Sequence, residues 1–263
     1  MHALNNGSSS LPPHLRWRDA ARNIALLGFL WVIYSIVRSL GNSDTDIAVQ
    51  NAQSLLHWQA SRGLAFEASI QAAVRSEMVF IAANAYYLLH FPVTVGLLGW
   101  TFFRDRTRSF GPFRNALVLA TAIGLTLHLV FPLAPPRMLD GFLDTGAIFG
   151  PDPYALPGSD AANQFAAMPS MHVTWAVLVA LTLAWSRRAS LRRWVPWIHP
   201  TFTVLAVVIT ANHYVSDAVV GATIAIVSWT IVNRRTKVVT RKSPPAVSIT
   251  DTATPPPRAT SNP

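Results

Sequence analysis

The chain has 263 residues, of which 51% are hydrophobic and 13% charged, and its formal net charge is +9. A soluble globular domain carries about 25% charged residues, so this composition indicates a membrane protein. The basic residues lie in short clusters beside apolar runs and form no face with interleaved aromatic residues, which argues against nucleic-acid binding. The sequence contains no cysteine, which excludes disulfides, thiol nucleophiles and cysteine metal ligands.

The two ends of the chain are polar. Residues 1–15 contain a run of Asn and Ser and a pair of prolines, and residues 241–263 are rich in Pro, Ser and Thr. Neither segment has enough apolar residues to bury a core, so both are predicted to be disordered. The residues between them, 16–240, are predicted to form a single membrane domain.

Six apolar stretches in this domain approach the roughly 20 helical residues that cross a bilayer. They lie at residues 22–40, 78–103, 114–133, 170–186, 196–213 and 215–233. A segment within a bilayer must satisfy its own backbone hydrogen bonds, and these runs lack the alternation of a membrane barrel. The sequence therefore predicts an all-α fold, a polytopic bundle of six transmembrane helices.

Basic residues are distributed unequally between the two predicted sides. Sixteen precede the first stretch, follow the sixth, or separate the second from the third and the fourth from the fifth. The alternate connections contain only four: Arg38, Arg62, Arg75 and Arg137. The positive-inside rule places both termini in the cytoplasm, in a plasma membrane such as the bacterial inner membrane. The alternate connections are then extracytoplasmic.

Two of the extracytoplasmic connections are long. Residues 41–77 mix Leu, Trp, Phe and Ile with Gln, Ser and Ala, a pattern that predicts one or two amphipathic helices at the membrane interface. Residues 134–169 are rich in Gly, Pro and Asp. A loop of that length is usually functional or disordered, and we interpret it as an active-site loop.

Three short polar stretches fall on this extracytoplasmic side, at residues 134–137, 168–172 and 212–217. They contain an arginine, two histidines and an aspartate: Arg137, His172, His213 and Asp217. Ionisable side chains at membrane depth are costly to bury and generally mark functional sites.

The residue types suit phosphate ester chemistry. Arg137 offers a planar fork of donors that matches two phosphate oxygens, and the Ser170 hydroxyl with the first N–H groups of the next helix can hold the same oxygens. One histidine can attack phosphorus while a second, protonated, donates to the leaving oxygen. Asp217 lies four residues after His213, on the same helix face, where a carboxylate can fix the tautomer of the attacking ring.

Each signal also has a purely structural interpretation. A single histidine in an apolar protein is more often packed and hydrogen-bonded, and a Pro-Pro pair after a span usually ends it. A histidine and an aspartate four residues apart can simply stabilise a helix. The occurrence of all three stretches, in order, on one predicted face favours the functional interpretation.

Further polar residues lie near the same level. His128 either faces the pocket as a substrate ligand or packs between helices. Tyr214 is also predicted to bind substrate. The second stretch contains four polar residues, Asn84, Tyr86, Tyr87 and His90. They either line an inward-facing cavity or anchor that helix to the interface and to its neighbours. The acidic loop residues do not have EF-hand spacing, and no metal site or cofactor is predicted.

The sequence Pro169-Ser170-Met171-His172, followed by His213-Tyr214-Val215-Ser216-Asp217-Ala218-Val219-Val220-Gly221, resembles the type 2 phosphatidic acid phosphatase (PAP2) superfamily. The His-Tyr-x-x-Asp-x-x-x-Gly form and the Ala-Pro-Pro-Arg element are most similar to the branch of inositol phosphorylceramide synthases and their bacterial relatives. The resemblance covers residues 78–233.

This resemblance implies a six-helix core with the site at the outer leaflet and ester hydrolysis without a metal. It implies that His213 is the nucleophile, that Asp217 orients it, that His172 is the general acid and that Arg137 binds phosphate. The substrate would be a lipid-linked phosphate, with a polyol or lipid alcohol as the possible acceptor.

Four positions depart from the superfamily pattern. Val130 and Val207 stand where the superfamily has a lysine and an arginine, Met138 stands where it has a proline, and Met171 where it has a glycine. Two cationic phosphate ligands are therefore missing. Their loss predicts a less charged substrate group, such as a phosphodiester, or ligands from elsewhere in the chain.

Three functions follow from these observations. The first is a metal-independent lipid phosphate phosphatase, in which water resolves a phosphohistidine. The second is a phosphotransferase, similar to an inositol phosphorylceramide synthase, in which a hydroxyl group takes the place of water. The third is a membrane transporter or structural protein without catalytic activity.

Overall fold

The computed structural model describes residues 18, 21–23, 25, 28, 32, 35, 36, 45–104, 109–155, 163–185 and 191–242. Only scattered positions of the first apolar stretch are among them, so that predicted span lies largely outside the described residues. The predicted disordered ends also lie outside them, except for residues 241 and 242, which end the last helix.

The described chain is helical. Its α-helices are α1 (Thr45–Ala60), α2 (Glu67–Ala73), α3 (Glu77–Arg104), α4 (Gly111–Val130), α5 (Thr145–Phe149), α6 (Met171–Trp185), α7 (Ile198–Ile209) and α8 (Val215–Lys242). Two 3₁₀ segments lie at Pro136–Met138 and Leu191–Trp197. Within the described ranges no strand forms, and a single parallel bridge joins Leu133 to Ala166.

Three helices are long and apolar enough to cross a membrane: α3, α4 and the Val215–Arg234 part of α8. Met171–Trp185 and Trp194–Ile209 are shorter apolar helices. The all-α prediction is confirmed, and the apolar helices indicate a membrane protein. The number of six spans stays a prediction.

The surface of these helices suits a lipid environment. Large apolar side chains are exposed along α3, α4, α7 and α8: Met78, Leu89, Phe91, Val95, Trp100, Phe103, Leu129, Val130, Phe202, Leu205, Val219, Ile226 and Val227. Soluble monomers rarely leave so much contiguous apolar surface in contact with water.

Helix α6 is the centre of the bundle and contacts α3, α4, α7 and α8. Five consecutive residues, from Ala176 to Ala180, are buried. Five residues cover more than one helical turn, so every face of α6 is packed against protein. The helix that begins beside His172 is therefore rigidly held.

The helix formed by the predicted fifth apolar stretch ends before the stretch itself does. Helix α7 stops at Ile209, and Ala211 takes a left-handed φ of 51°. The backbone N–H groups of Asn212 and His213 both bond to the Val207 carbonyl, which satisfies one of the free acceptors at the helix end. This tight turn delivers His213 to the start of α8.

Helices α6 and α8 approach closely at Gly221. A Cβ atom at Gly221 would lie 2.5 Å from the Ser170 carbonyl oxygen and 2.9 Å from Thr174 Oγ1. Thr174 Oγ1 donates to the carbonyls of both Ser170 and Gly221, and the Ser170 N–H donates to the Asp217 carbonyl. Small residues permit such contacts between membrane helices.

Gly221→Ala is expected to force α8 away from α6 and to lower both stability and any activity that needs His172 beside His213. Overpacking of this kind costs about 1–3 kcal/mol. The measurement is thermal unfolding in detergent, with Gly96→Ala as control, because Gly96 lies within α3 and a Cβ there meets nothing within 4 Å. Equal melting temperatures for the two variants would contradict the predicted role of this contact.

The helices predicted in residues 41–77 are present as α1 and α2 and are fastened to the bundle. Asn51 Nδ2 donates to the Pro132 carbonyl, and the Glu67 carboxylate accepts from the Val215 N–H. Gln71 bonds the backbone of Leu143 and the carbonyl of Ile209. These helices therefore form part of the wall around the start of α8, while their position at a membrane interface stays a prediction.

Candidate active site

The three polar stretches identified in the sequence meet around one cavity. Among the described residues, its lining combines polar and apolar side chains: Tyr87, Leu125, His128, Leu129, Pro135, Tyr154, Asn163, Gln164, Ala166, Ala167, Met171, His172, Asn212 and His213. Of the predicted site residues, His128, His172 and His213 line it. Arg137, Ser170, Tyr214 and Asp217 lie behind its wall.

His172 and His213 face each other across the junction of α6 and α8. Their ring centroids are 5.7 Å apart and their planes are tilted by 58°. His172 is held at the start of α6 and His213 by the turn after α7. The two histidines are thus far enough apart to hold a small group between them and close enough to act on it together.

The tautomer of His213 follows from its hydrogen bond. His213 Nδ1 lies 2.7 Å from the Ala167 carbonyl oxygen, which can only accept, so Nδ1 carries the proton and donates. The lone pair is then on Nε2. A neutral imidazole with a free lone pair is the form required of a nucleophile.

Asp217 lies directly behind His213, as the four-residue spacing predicts. Its Oδ2 is 3.5 Å from His213 Nδ1 and accepts a 2.8 Å hydrogen bond from the Tyr214 N–H. The side chain is fully buried in the first turn of α8, where the helix dipole favours a carboxylate. Asp217 therefore combines a capping bond with a negative charge beside the His213 ring.

A second buried carboxylate supports the same turn. Glu67 of α2 is 1% exposed and accepts from the Val215 N–H at 3.0 Å and from Gln59 Nε2 at 2.7 Å. Asp217 and Glu67 thus accept hydrogen bonds from the backbone N–H groups of two consecutive residues, Tyr214 and Val215, at the start of α8. No short motif in the sequence pointed to Glu67, because its role depends on a contact between distant helices.

Arg137 lies one layer behind the cavity, with all three guanidinium nitrogens bonded. Nε donates to Asn212 Oδ1, and the two terminal nitrogens donate to Asp144 and Gln164, at 3.2, 3.0 and 3.1 Å. The guanidinium also stacks 4.2 Å from the centroid of the Tyr154 ring. Arg137 therefore positions three side chains that line the cavity, those of Asn212, Gln164 and Tyr154.

Burial lowers the pKa of Arg137, but Tyr154 and Asp144 raise it by more, so the pKa of Arg137 lies above its ordinary value. The guanidinium consequently stays charged behind the cavity wall. Among the described residues no lysine or arginine side chain lines the cavity itself. Its polar lining includes three carboxamides, those of Asn163, Gln164 and Asn212.

His128 fits both of its sequence interpretations. It lines the cavity, and its Nε2 lies 3.0 Å from the Pro169 carbonyl, so this nitrogen is the protonated donor. The bond ties α4 to the residue that precedes Ser170 and the start of α6. His128 therefore both packs between elements and presents a ring to the cavity.

Ser170 and Tyr214 occupy structural positions. Ser170 is fully buried, and its Oγ accepts a 3.4 Å bond from the Val173 N–H. The Tyr214 hydroxyl donates to the Ala134 carbonyl at 3.1 Å. Burial, followed by the nearby Asp217 and Glu67 carboxylates, raises the pKa of Tyr214, so the phenol remains a neutral donor.

The four polar residues singled out on α3 have four different roles. Asn84 bonds to Thr145 and Gly150 of the active-site loop, and Tyr86 bonds to His199 of α7. Only Tyr87 lines the cavity. His90 is buried beside His172 and does not line the cavity.

One departure from the superfamily pattern has a local compensation. Met171 stands where the superfamily usually has glycine, and it lines the cavity. Its side chain occupies the space over Gly124 of α4, where an added Cβ would clash with the Met171 sulfur. The glycine at residue 124 thus makes room for the larger residue at 171.

Within the described ranges, no three or more His, Cys, Asp or Glu side chains are arranged to hold a metal ion.

Comparison with known proteins places this geometry in a family. Neither the curated proteins nor the solved structures gave a match to the chain. The family model described as the PAP2 superfamily matches residues 53–231, a range that contains α3 to α7, most of α8 and the whole cavity lining. Phosphatases and phosphotransferases are typical of that superfamily. With the greater part of its length matched, the chain belongs to the PAP2 superfamily.

Proposed function

We propose that the chain is a membrane enzyme that cleaves or transfers a lipid-linked phosphate ester through a phosphohistidine at His213, without a metal or cofactor. The observation that carries the proposal is the bond from His213 Nδ1 to the Ala167 carbonyl at 2.7 Å, with Asp217 at 3.5 Å. It leaves Nε2 as the nucleophilic nitrogen of a cavity-lining ring.

In the first half of the reaction, the Nε2 lone pair forms a bond to phosphorus while the bond from phosphorus to the leaving oxygen breaks. The leaving oxygen takes the electron pair of that bond and a proton from His172. The developing positive charge on His213 is stabilised by Asp217, which is fully buried and therefore weakly screened.

In the second half, water or an alcohol attacks the phosphohistidine. His172, now neutral, accepts the proton of the attacking hydroxyl, and the electron pair of the P–N bond returns to His213. From a phosphomonoester, water yields free phosphate and an alcohol yields a new phosphomonoester. From a phosphodiester, water yields a phosphomonoester and an alcohol yields a new phosphodiester. Both outcomes use the same residues.

The composition of the cavity supports a lipid-linked substrate of modest charge. Leu125, Leu129 and Met171 form an apolar side, next to exposed apolar surface on α4. The polar lining offers carboxamides and, among the described residues, no lysine or arginine to hold a dianion, which favours a phosphodiester over a phosphomonoester. Arg137 contributes charge from behind Asn212 and Gln164, and we assign Ser170 and Tyr214 supporting rather than direct roles.

A transferase is the second candidate, and the carboxamides of Asn163, Gln164 and Asn212 favour it. Carboxamide groups donate to and accept from hydroxyls, so they suit a polyol or lipid alcohol acceptor. We place the site at the extracytoplasmic face of a plasma membrane with both termini in the cytoplasm, following the distribution of basic residues.

The test uses purified protein in detergent with EDTA, a panel of lipid phosphomonoesters and phosphodiesters, and acceptors such as inositol or a glycolipid. Without an acceptor, release of phosphate from a phosphomonoester, or of a phosphomonoester from a phosphodiester, supports the phosphatase. A new phosphate ester of the acceptor, formed only when the acceptor is present, supports the transferase. If wild type and His213→Ala behave alike across the panel, the catalytic proposal fails and a transporter or structural role replaces it.

A further inference from the structure

His90 is a buried polar group that the proposed mechanism does not yet use. It lies in the middle of α3, is 5% exposed and does not line the cavity. Neither of its ring nitrogens has a hydrogen-bond partner in the part of the chain that the structure describes. An unsatisfied buried donor or acceptor is costly, and its presence in a folded protein calls for an explanation.

The surroundings of His90 supply one. Its ring centroid is 4.7 Å from that of His172, with the planes tilted by 47°, and 5.4 Å from that of Trp175. The Tyr87 ring also stacks on His172, with centroids 3.9 Å apart. Residues 87 and 90 share a helix face, so α3 presents two rings to His172.

The proposed acid step sets a requirement that these rings can meet. His172 must carry a positive charge before it protonates the leaving oxygen, and a charge in an apolar bundle is unfavourable unless it is paired or hydrogen-bonded. The face of Tyr87 attracts a cation. A neutral His90 ring has one nitrogen lone pair, which can accept from a donor beside it.

We propose that His90 is a positioning residue that stabilises the protonated form of His172 and holds it in the orientation for proton donation. This inference rests on the proposed function. His90 itself gains and loses no proton, because the proton delivered to the leaving oxygen comes from His172.

The first test compares two esters, one with an alkyl leaving group and one with a p-nitrophenyl leaving group. A poor alkoxide leaving group needs a general acid, whereas p-nitrophenolate leaves with little help. His90→Phe keeps a ring but removes both nitrogens. It is expected to lower kcat/KM for the alkyl ester about 10- to 100-fold and for the aryl ester less than about threefold.

His90→Asn and His90→Gln restore a polar atom near one or the other nitrogen, and one of them is expected to recover part of the alkyl ester activity. Equal losses on both esters for His90→Phe would assign His90 to packing alone, and unchanged rates would assign it no role. Either result overturns the inference. Failure of the proposed function is distinct: wild type would then cleave neither ester, or His213→Ala would cleave both.

A second test does not depend on activity. Histidine NMR titration of ¹⁵N-labelled protein, with the His172 signal assigned by its loss in His172→Gln, compares wild type with His90→Phe. The titratable groups around this pair lie on several elements. They are Tyr87 on α3, Tyr86 and His199 where α3 meets α7, His128 on α4, Tyr154 in the cavity lining, and His213 with Asp217 at the start of α8.

These groups are the same in both proteins, so a difference reports on His90. His172 is expected to titrate about one pH unit lower in His90→Phe, since the protonated form has lost a stabilising acceptor. An equal or higher titration midpoint in the variant would overturn the inference.

Discussion

His213→Ala is expected to lower turnover by at least about 1,000-fold, because the variant has no atom that can form the covalent intermediate. The remaining residues still bind substrate, so KM should change less than kcat. The rate measured on the best substrate of the panel, with both constants resolved, tests this directly.

The structure also specifies how the fold should respond to this substitution. Within the part of the chain that the structure describes, the His213 side chain is hydrogen-bonded to the Ala167 carbonyl, and the residue is 5% exposed. His213→Gln retains a side-chain amide that can donate to that carbonyl, so it should remain folded and still be inactive. A folded His213→Gln protein with near wild-type turnover would exclude His213 as the nucleophile.

The matched control for a histidine substitution is His57→Ala. His57 lies on the exposed side of α1 and does not line the cavity. Its removal is expected to leave turnover within about twofold of wild type, the range of ordinary surface substitutions.

Asp217→Asn is the second substitution with a large expected effect, and it separates the charge of Asp217 from its hydrogen bond. The asparagine oxygen can still accept from the Tyr214 N–H, so the start of α8 should stay capped. The negative charge beside His213 is lost, and the cationic phosphohistidine is less stable. We expect turnover to fall roughly 100-fold.

The predicted loss is smaller than for His213→Ala for a structural reason. The tautomer of His213 is held by the Ala167 carbonyl at 2.7 Å, closer than the 3.5 Å to Asp217. Asp217→Asn therefore leaves the lone pair on Nε2, and only the electrostatic contribution is removed.

Asp217→Ala serves as the comparison because it removes the cap as well. It should be less stable than Asp217→Asn by about 1 kcal/mol, the usual value of a helix-capping side chain, in thermal or denaturant unfolding. Full activity in Asp217→Asn would reduce Asp217 to a capping residue and contradict the assigned electrostatic role.

The sequence was informative where function depends on local spacing. The apolar helices follow from apolar runs, the predicted alternation of spans puts His172 and His213 on one side, and the four-residue spacing places Asp217 behind His213. The first and third relations lie within one helix or its first turn, whereas the second follows from the predicted order of helices along the chain.

The rest depends on contacts between distant segments, which composition and periodicity do not encode. The Ala167 carbonyl is one example, since any residue type supplies a carbonyl. Arg137 is another: its fork was predicted to hold phosphate, and the structure shows all its nitrogens bonded to Asp144, Gln164 and Asn212. Glu67 reaches the start of α8 across 148 residues, beyond the range of any motif.

Direct detection of a phosphoryl group on His213 tests the central claim most directly. Wild type and His213→Gln would be mixed with the p-nitrophenyl ester, quenched in alkali, in which phosphohistidine is stable, and digested for mass spectrometry. The account predicts a phosphoryl adduct on the wild-type peptide that contains His213, and its absence from the variant. Turnover without any adduct, or an adduct on His172 instead, would contradict it.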